Sequence, residues 1–197
     1  MLVHRYYEWR LERELKYLPD SICFMLTGHD LTDAPEKIQE VAGWSIKCGI
    51  KNVIFHINTD NLDDPERFLP LIRDISSFAR LTLTYGDKTE VSGEGREVFV
   101  VIGMSGRDEI VRCVRKMAED NINPDDVDEK MIESYLTFNY EPDLVIKTGG
   151  NYLTDFLIWQ SVYSELFFSD VNWKQFRKTE FLRALRDYQT RKRRYGR

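Results

Sequence analysis

Five short apolar-rich runs constrain the fold of this chain most: Ile22-Cys-Phe-Met-Leu26, Val53-Ile-Phe-His-Ile57, Leu81-Thr-Leu-Thr-Tyr85, Val98-Phe-Val-Val-Ile102 and Leu144-Val-Ile146. Runs that are apolar at nearly every position have little polar surface to offer water, so they read as strands buried on both sides. Helical periodicity separates most of them. Tyr7, Leu11 and Leu15 recur at four-residue spacing in a helix predicted from Tyr7 to Leu18. Ile38, Val41 and Ala42 mark a second helix, with Asp33 as its cap, Pro35 near its first turn and Gly49 as its stop. A third is predicted from Pro65 to Phe78, a fourth through Ile110, Val111, Val114, Met117 and Ala118, and a short one after Asn123-Pro-Asp-Asp. A last long helix carries Phe181, Leu182, Leu185 and Tyr188 on one side. Gly86 to Gly95, rich in glycine and charge, reads as a loop. This alternation predicts an α/β fold with a mostly parallel central sheet and helices on both faces, formed as a single domain over residues 1–197.

The last of these strands runs into a turn suited to a phosphate. Asp143-Leu-Val-Ile-Lys147-Thr148-Gly149-Gly150-Asn151 reads as a strand, a Gly-Gly turn and the approach to a short helix. The glycines let backbone come close to a ligand, and main-chain N–H groups at a following helix start favour an anion. Lys147, Thr148, Gly149 and Gly150 are therefore candidate binding residues for a phosphorylated ligand. Charge is distributed unevenly: residues 174–197 carry ten Lys and Arg against two acids, a net of +8, which leaves −13 for the remainder of a chain of net −5. Such a basic end suits an anionic lipid surface, a diphosphate or the acidic rest of the fold. Nucleic acid is not expected as a partner, because no recognition-helix, zinc-finger or RNA-binding signature accompanies the charge. Cys23, Cys48 and Cys113 sit in apolar stretches without CxxC pairing and read as buried free thiols. His29 and His56 border or lie within apolar strands and read as structural. No stretch approaches about 18 uncharged apolar residues, and Met1-Leu-Val-His-Arg5 lacks the apolar core of a secretory signal. A cytoplasmic location follows as the expectation.

Beyond the turn the chain reads Phe156-Leu-Ile-Trp159-Gln160, then Tyr163-Ser-Glu165-Leu-Phe-Phe-Ser-Asp170, Asp170-Val-x-Trp173 and finally Arg193-Arg194-Tyr195-Gly196. Taken with the Gly-Gly turn, this series resembles the diphosphate-binding end of the cis-prenyltransferases, the family of undecaprenyl diphosphate synthase. Members show Arg-Thr-Gly/Ser-Gly-Glu, Asn-Phe-Leu-Leu-Trp-Gln and Tyr-x-Glu-Leu-Tyr-Phe in the same order. Gly103-Met-Ser-Gly106-Arg107-Asp-Glu109-Ile110 is similar to the family's Tyr-Gly-Gly-Arg-x-Glu-Ile. Asn52 to Asn61 is similar to its Tyr-x-x-Ser-x-Glu-Asn strand and turn, and Tyr7 to Leu15 resembles the leading helix of archaeal-type members. The resemblance implies the cis-prenyltransferase fold.

It also exposes departures. Where the family's first strand ends in Met-Asp-Gly-Asn, with an Asp that helps bind Mg²⁺ and the allylic diphosphate, this chain has Leu26-Thr27-Gly28-His29-Asp30. A threonine hydroxyl carries no formal charge and is no substitute for an anionic ligand of a hard cation. Asp30 follows three residues on, past the expected strand end, and whether it replaces the lost carboxylate stays open. Lys147 stands where the family has Arg, a point charge for a planar fork. Asn151 replaces a Glu, while Glu165 matches a Glu of the family's Mg²⁺ site. Thr27 and Gly28 join the candidate substrate-binding residues, Glu165 the candidate metal ligands.

What the resemblance implies for function is a subunit of a complex that condenses isopentenyl diphosphate with an allylic diphosphate into a long-chain cis-polyprenyl diphosphate, with a hydrophobic tunnel setting length. The pattern is closest to the Nogo-B-receptor-like partner of heteromeric enzymes, non-catalytic by itself, whose C-terminal Arg-x-Gly completes the catalytic homologue's site. Here those residues are Arg194 and Gly196, and Mg²⁺ is a cofactor of the complex. Two other readings stand: a divergent homodimer active alone, or a prenyl-lipid-binding scaffold without chemistry, its basic end peripheral at the membrane.

Overall fold

The apolar runs assemble by hydrogen bonding side to side, as their burial on both faces demands. A computed structural model describes residues 2–59, 64–137, 140–150 and 157–191. Seven strands form one sheet: β1 (Ser21–Thr27), β2 (Asn52–Asn58), β3 (Arg80–Tyr85), β4 (Lys88–Ser92), β5 (Glu97–Ile102), β6 (Leu144–Thr148) and β7 (Glu165–Ser169). Their order is β4-β3-β5-β2-β1-β6-β7, parallel throughout except for the β3/β4 pair. Helices α1 (Leu2–Glu14), α2 (Gly28–Asp33), α3 (Lys37–Cys48), α4 (Leu69–Arg73), α5 (Gly106–Glu119), α6 (Glu129–Tyr135) and α7 (Lys178–Thr190), with four short 3₁₀ turns, complete the described elements. Among the described residues no helix is long and apolar enough to cross a membrane.

Strand alternation sorts the core into two faces. On the first, Ile22, Phe24 and Leu26 of β1 and Val53, Phe55 and Ile57 of β2 join Val98, Val100, Leu144 and Ile146, all buried, under α1, α2, α3, α4 and α7. Its centre is aromatic: Phe24 lies 5.3 Å from Phe55 and 6.1 Å from Trp173, whose ring in turn stacks 6.1 Å from Phe176. The Trp173 indole N–H donates to the Ala34 carbonyl at 3.1 Å, so the buried ring leaves no orphan donor. The second face is thinner. Cys23, Met25, Ile54, Phe99, Val101 and Val145 pack with Met104 and Leu157, while Cys113, Met117 and Leu136 of the α5–α6 region form a separate small cluster.

Four local expectations are corrected. The Gly86–Gly95 loop contains β4, because Gly86 (φ +54) and Asp87 make a two-residue turn that pairs Tyr85 with Lys88. The helix predicted from Pro65 to Phe78 is instead a 3₁₀ turn, the five-residue α4 and a second 3₁₀ turn; Pro70, with no N–H to give, interrupts a continuous ladder. Asp33 ends α2 rather than capping α3, whose N-cap is Glu36 with no side-chain bond, although Gly49 (φ +98) closes α3 as expected. The short helix expected after the Gly-Gly turn falls partly on residues 151–156, outside the described residues, and 158–163 form turns.

Candidate functional site

Chain order makes one place in the sheet special. From β1 the chain moves to β2 on one side, and after β5 it crosses to β6 on the other. The carboxyl ends of β1 and β6 therefore flank a topological switch point, where open parallel sheets leave a crevice between diverging loops. The β1/β6 pairing runs from Ile22↔Leu144 to Met25↔Lys147, so Thr27 and Gly28 leave the sheet beside Thr148, Gly149 and Gly150. Six of the candidate residues, Thr27, Gly28, Lys147, Thr148, Gly149 and Gly150, are thus brought together.

Their chemistry differs in part from the expectation. Gly149 takes φ +70, a conformation that favours glycine, but its N–H is already spent on the Ser169 and Val171 carbonyls at 3.1 and 3.0 Å. It fixes the turn rather than offering a donor to an anion. Thr148 is 2% exposed and its hydroxyl has no hydrogen-bond partner, an unsatisfied polar atom at the mouth of the crevice. Lys147, the residue before it, is half-buried and turns to the other face of the sheet.

On the β1 side the structure answers the question left open about Asp30. The Thr27 N–H and hydroxyl donate to Asp30 Oδ2 at 2.9 and 2.8 Å, and the Asp30 N–H donates back to Thr27 Oγ1 at 3.2 Å. This is a capping box that folds the carboxylate back onto the strand end. Sequence reasoning left Asp30 past the strand; the signal that locates it is the Thr27-x-x-Asp30 spacing itself. A cation here would need several oxygen ligands. The one carboxylate at this strand end already accepts two hydrogen bonds, and among the described residues no three His, Cys, Asp or Glu side chains are grouped to hold a metal. The described donor set does not fit a Mg²⁺ ion anchored by this chain.

Glu165 is not part of this assembly. Parallel pairing puts it opposite Leu144 at the amino end of β7, while Ser169, opposite Thr148, marks the crevice end. Four residues of strand separate the two, about 13 Å. Its carboxylate pairs with Arg191 at 3.2 Å, so the metal role expected of it is not supported within one chain. Arg194 and Gly196 lie outside the described residues. Arg191 sits at that same amino-terminal edge, donating to the Leu166 carbonyl at 2.7 Å.

Two histidine and cysteine readings gain a physical basis. His56 is 1% exposed on the second face with its Nδ1 unpartnered, and burial lowers its pKa to about 4 against a hydrogen bond to the Met104 backbone. Burial likewise pushes the Cys23 thiol up, so it is inert. A feature no sequence signal flagged is a polar cleft of about 610 Å³ at the carboxyl ends of β3 and β5, lined by Gly86, Asp87, Asp108, Arg112 and Arg115 among others. Asp87 and Arg112 pair across it.

Comparison with known proteins places these features. Residues 75–196 match the prenyltransferase family model for undecaprenyl diphosphate synthase. The chain is 33% identical to the tritrans,polycis-undecaprenyl-diphosphate synthase (geranylgeranyl-diphosphate specific) of Thermoplasma volcanium, over 82% of this chain and 77% of that protein. Its identity with the protein of the same name from Methanopyrus kandleri is 29%, over 99% and 92%. That alignment spans 248 positions against 197 residues here, so about fifty are filled by the relative alone. These are names of synthases rather than of a receptor-like partner subunit. In fold, the chain is similar to lavandulyl diphosphate synthase from Lavandula x intermedia, solved with dimethylallyl diphosphate, at a TM-score of 0.71 and 20% identity over 91% of this chain and 99% of that one.

Proposed function

This chain belongs to the undecaprenyl diphosphate synthase family, and from that premise we propose that it serves the condensation of isopentenyl diphosphate with an allylic diphosphate, seating a diphosphate in the crevice between β1 and β6. The observation that carries the reading is the meeting at the switch point of the Thr27–Asp30 box with Thr148, whose buried hydroxyl has no partner. An anion's oxygen would accept from that hydroxyl, and Lys147, which strand alternation turns to the other face of β6, adds positive charge to this strand end. Binding rests on few donors, so it is salt-sensitive.

Two modes of action are supported by different observations. The relatives' names favour a synthase in its own right, and in this mode the proposed partner is a second copy of the chain. An apolar cleft of about 370 Å³ at α5, lined by Val114, Met117, Ala118, Ile122, Pro124 and Val127, offers a docking surface for a second copy; Val114 is 61% exposed there. The site chemistry favours the other mode, a subunit that completes a full-motif homologue. Thr27 replaces a carboxylate, and the first face beside the crevice is, among the described residues, closely filled by Phe24, Phe55, Leu69, Ile72 and Ile75, none more than 4% exposed. Arg191, the last described residue, is held at the amino-terminal edge of β7, at the other end of the strand from the crevice, and the Arg194 that follows it in sequence is the residue proposed to serve a partner. The basic end also suits a peripheral place at an anionic membrane.

The deciding experiment is incorporation of labelled isopentenyl diphosphate, with Mg²⁺ and an allylic primer, by the purified chain and by the chain co-purified with a full-motif homologue. Turnover by the chain alone establishes the first mode. Turnover only in the pair establishes the second, and there Arg194→Ala lowers the rate about tenfold or more while the pair still assembles. Absence of turnover and of pyrophosphate binding in both settings overturns the proposal.

A further inference from the structure

Two sequence motifs without an assigned role meet in the fold. Glu109, from Gly106-Arg-Asp-Glu109, lies in the first turns of α5; Gln160, from Trp159-Gln160, lies beyond the diphosphate turn, 51 positions away. Both are buried, at 2% and 3% exposure. Glu109 Oε2 accepts from Gln160 Nε2 at 2.8 Å, and Glu109 Oε1 accepts the Thr137 backbone N–H at 2.9 Å. One carboxylate therefore ties the chain seven residues before β6 and again after the turn that ends it.

We propose that Glu109 is a positioning residue for diphosphate binding, holding the Lys147–Gly150 turn in place by fixing the chain on both flanks of β6. The proposal rests on the crevice reading above. Burying a carboxylate is costly unless strong donors receive it, and two charge-assisted hydrogen bonds from separate segments meet that need only when both segments stand in register. The neighbouring contacts act in the same sense. Leu157 is fully buried on the second face, the Ser161 hydroxyl donates to the Leu157 carbonyl at 2.8 Å, and Trp159 packs on the α5–α6 cluster. On the other side of the turn, Gly149 is held by its bonds to Ser169 and Val171. The turn is thus clamped at Gly149 by β7 and, beyond it, at Gln160 by α5. The bonds from Gln160 and Thr137 reach Glu109 from the flanks of the crevice, so the influence proposed for it on a ligand runs through backbone position.

Glu109→Gln keeps the shape but, with one oxygen in place of two, sets its amide N–H₂ against either the N–H₂ of Gln160 or the Thr137 N–H, and so loosens the clamp without emptying the space. Expected for this variant are pyrophosphate binding weakened about tenfold by calorimetry, and faster amide exchange in peptides covering 144–150 and 157–161 but not in those covering β2 or β5. The double variant Glu109→Gln with Gln160→Glu restores a carboxylate facing an amide and recovers affinity to within about threefold of wild type, a rescue that general destabilisation does not produce. Unchanged affinity and exchange in Glu109→Gln, or exchange that rises uniformly, overturns the proposal. A wild-type chain that does not bind pyrophosphate overturns the crevice reading instead; exchange then judges Glu109 alone, with a rise confined to the two flanks supporting its positioning role and any other pattern rejecting it.

Discussion

The two faces of the sheet are built on different principles. The first is a continuous aromatic and aliphatic packing: Phe24, Phe55, Trp173, Phe176 and Phe181 are fully buried, and the single polar atom of Trp173 is satisfied. The second is thin and carries the polar groups. His56 sits there with an unpartnered Nδ1, Cys23 beside Met25, and the Phe99 ring lies tilted 4.1 Å from that of Tyr140, which is itself 39% exposed. The difference teaches that stability and specificity are divided between the faces. Dispersion and apolar burial hold the first, while the groups that have a reason to be where they are, Lys147 and the Glu109–Gln160 clamp, gather toward the second.

The sharpest way to break this comparison is a pair of matched truncations. Phe24→Ala is expected to cost about 3–5 kcal/mol in urea unfolding, because its four aromatic neighbours, Phe55, Trp173, Phe176 and Phe181, cannot collapse into the space it leaves. Phe99→Ala is expected to cost less than half as much, since its ring lies against a partly solvated tyrosine. Equal losses would show that both faces are equally tight.

The next effect belongs to the second face alone. His56 is neutral in the fold, with a pKa lowered by burial to about 4, whereas the unfolded chain takes up the proton near the ordinary value of 6.5. Its contribution is complete above pH 6.5 and is lost as pH falls through 4, about 3 kcal/mol over that window. Urea midpoints at pH 7 and pH 4.5 read it. In His56→Leu the decline over this range becomes shallower, and a decline as steep as wild type would assign the acid sensitivity to other groups.

The smallest effect tests the crevice edge. Asp30→Ala removes the capping box of α2 and is expected to lower stability by about 1 kcal/mol in thermal unfolding. A loss of several kcal/mol would mean that Asp30 holds more than its helix start.

The alternation of strand and helix was legible because it depends on local composition. Ile22–Leu26, Val53–Ile57 and Val98–Ile102 each bury both sides whatever their neighbours turn out to be, and the periodicity around Ile110 to Ala118 specifies one face of a helix without reference to the rest of the chain. The Lys147–Gly150 turn was legible for the same reason, as Gly149 takes the positive φ that its sequence invites. β4 was missed because its exposed Lys88–Ser92 gains strand character only by pairing with β3.

The sequence by itself thus determined the mostly parallel α/β sheet with its helices, and the family to which the chain belongs, because both are written in short stretches whose chemistry does not wait for partners. Only the tertiary structure decided that Glu165 stands at the far end of its strand beside Arg191, and that Glu109 reaches Gln160. Those contacts depend on strand register and on which element crosses to which side of β1. Register comes from many weak pairings summed over residues far apart in the chain, a quantity that no single segment contains.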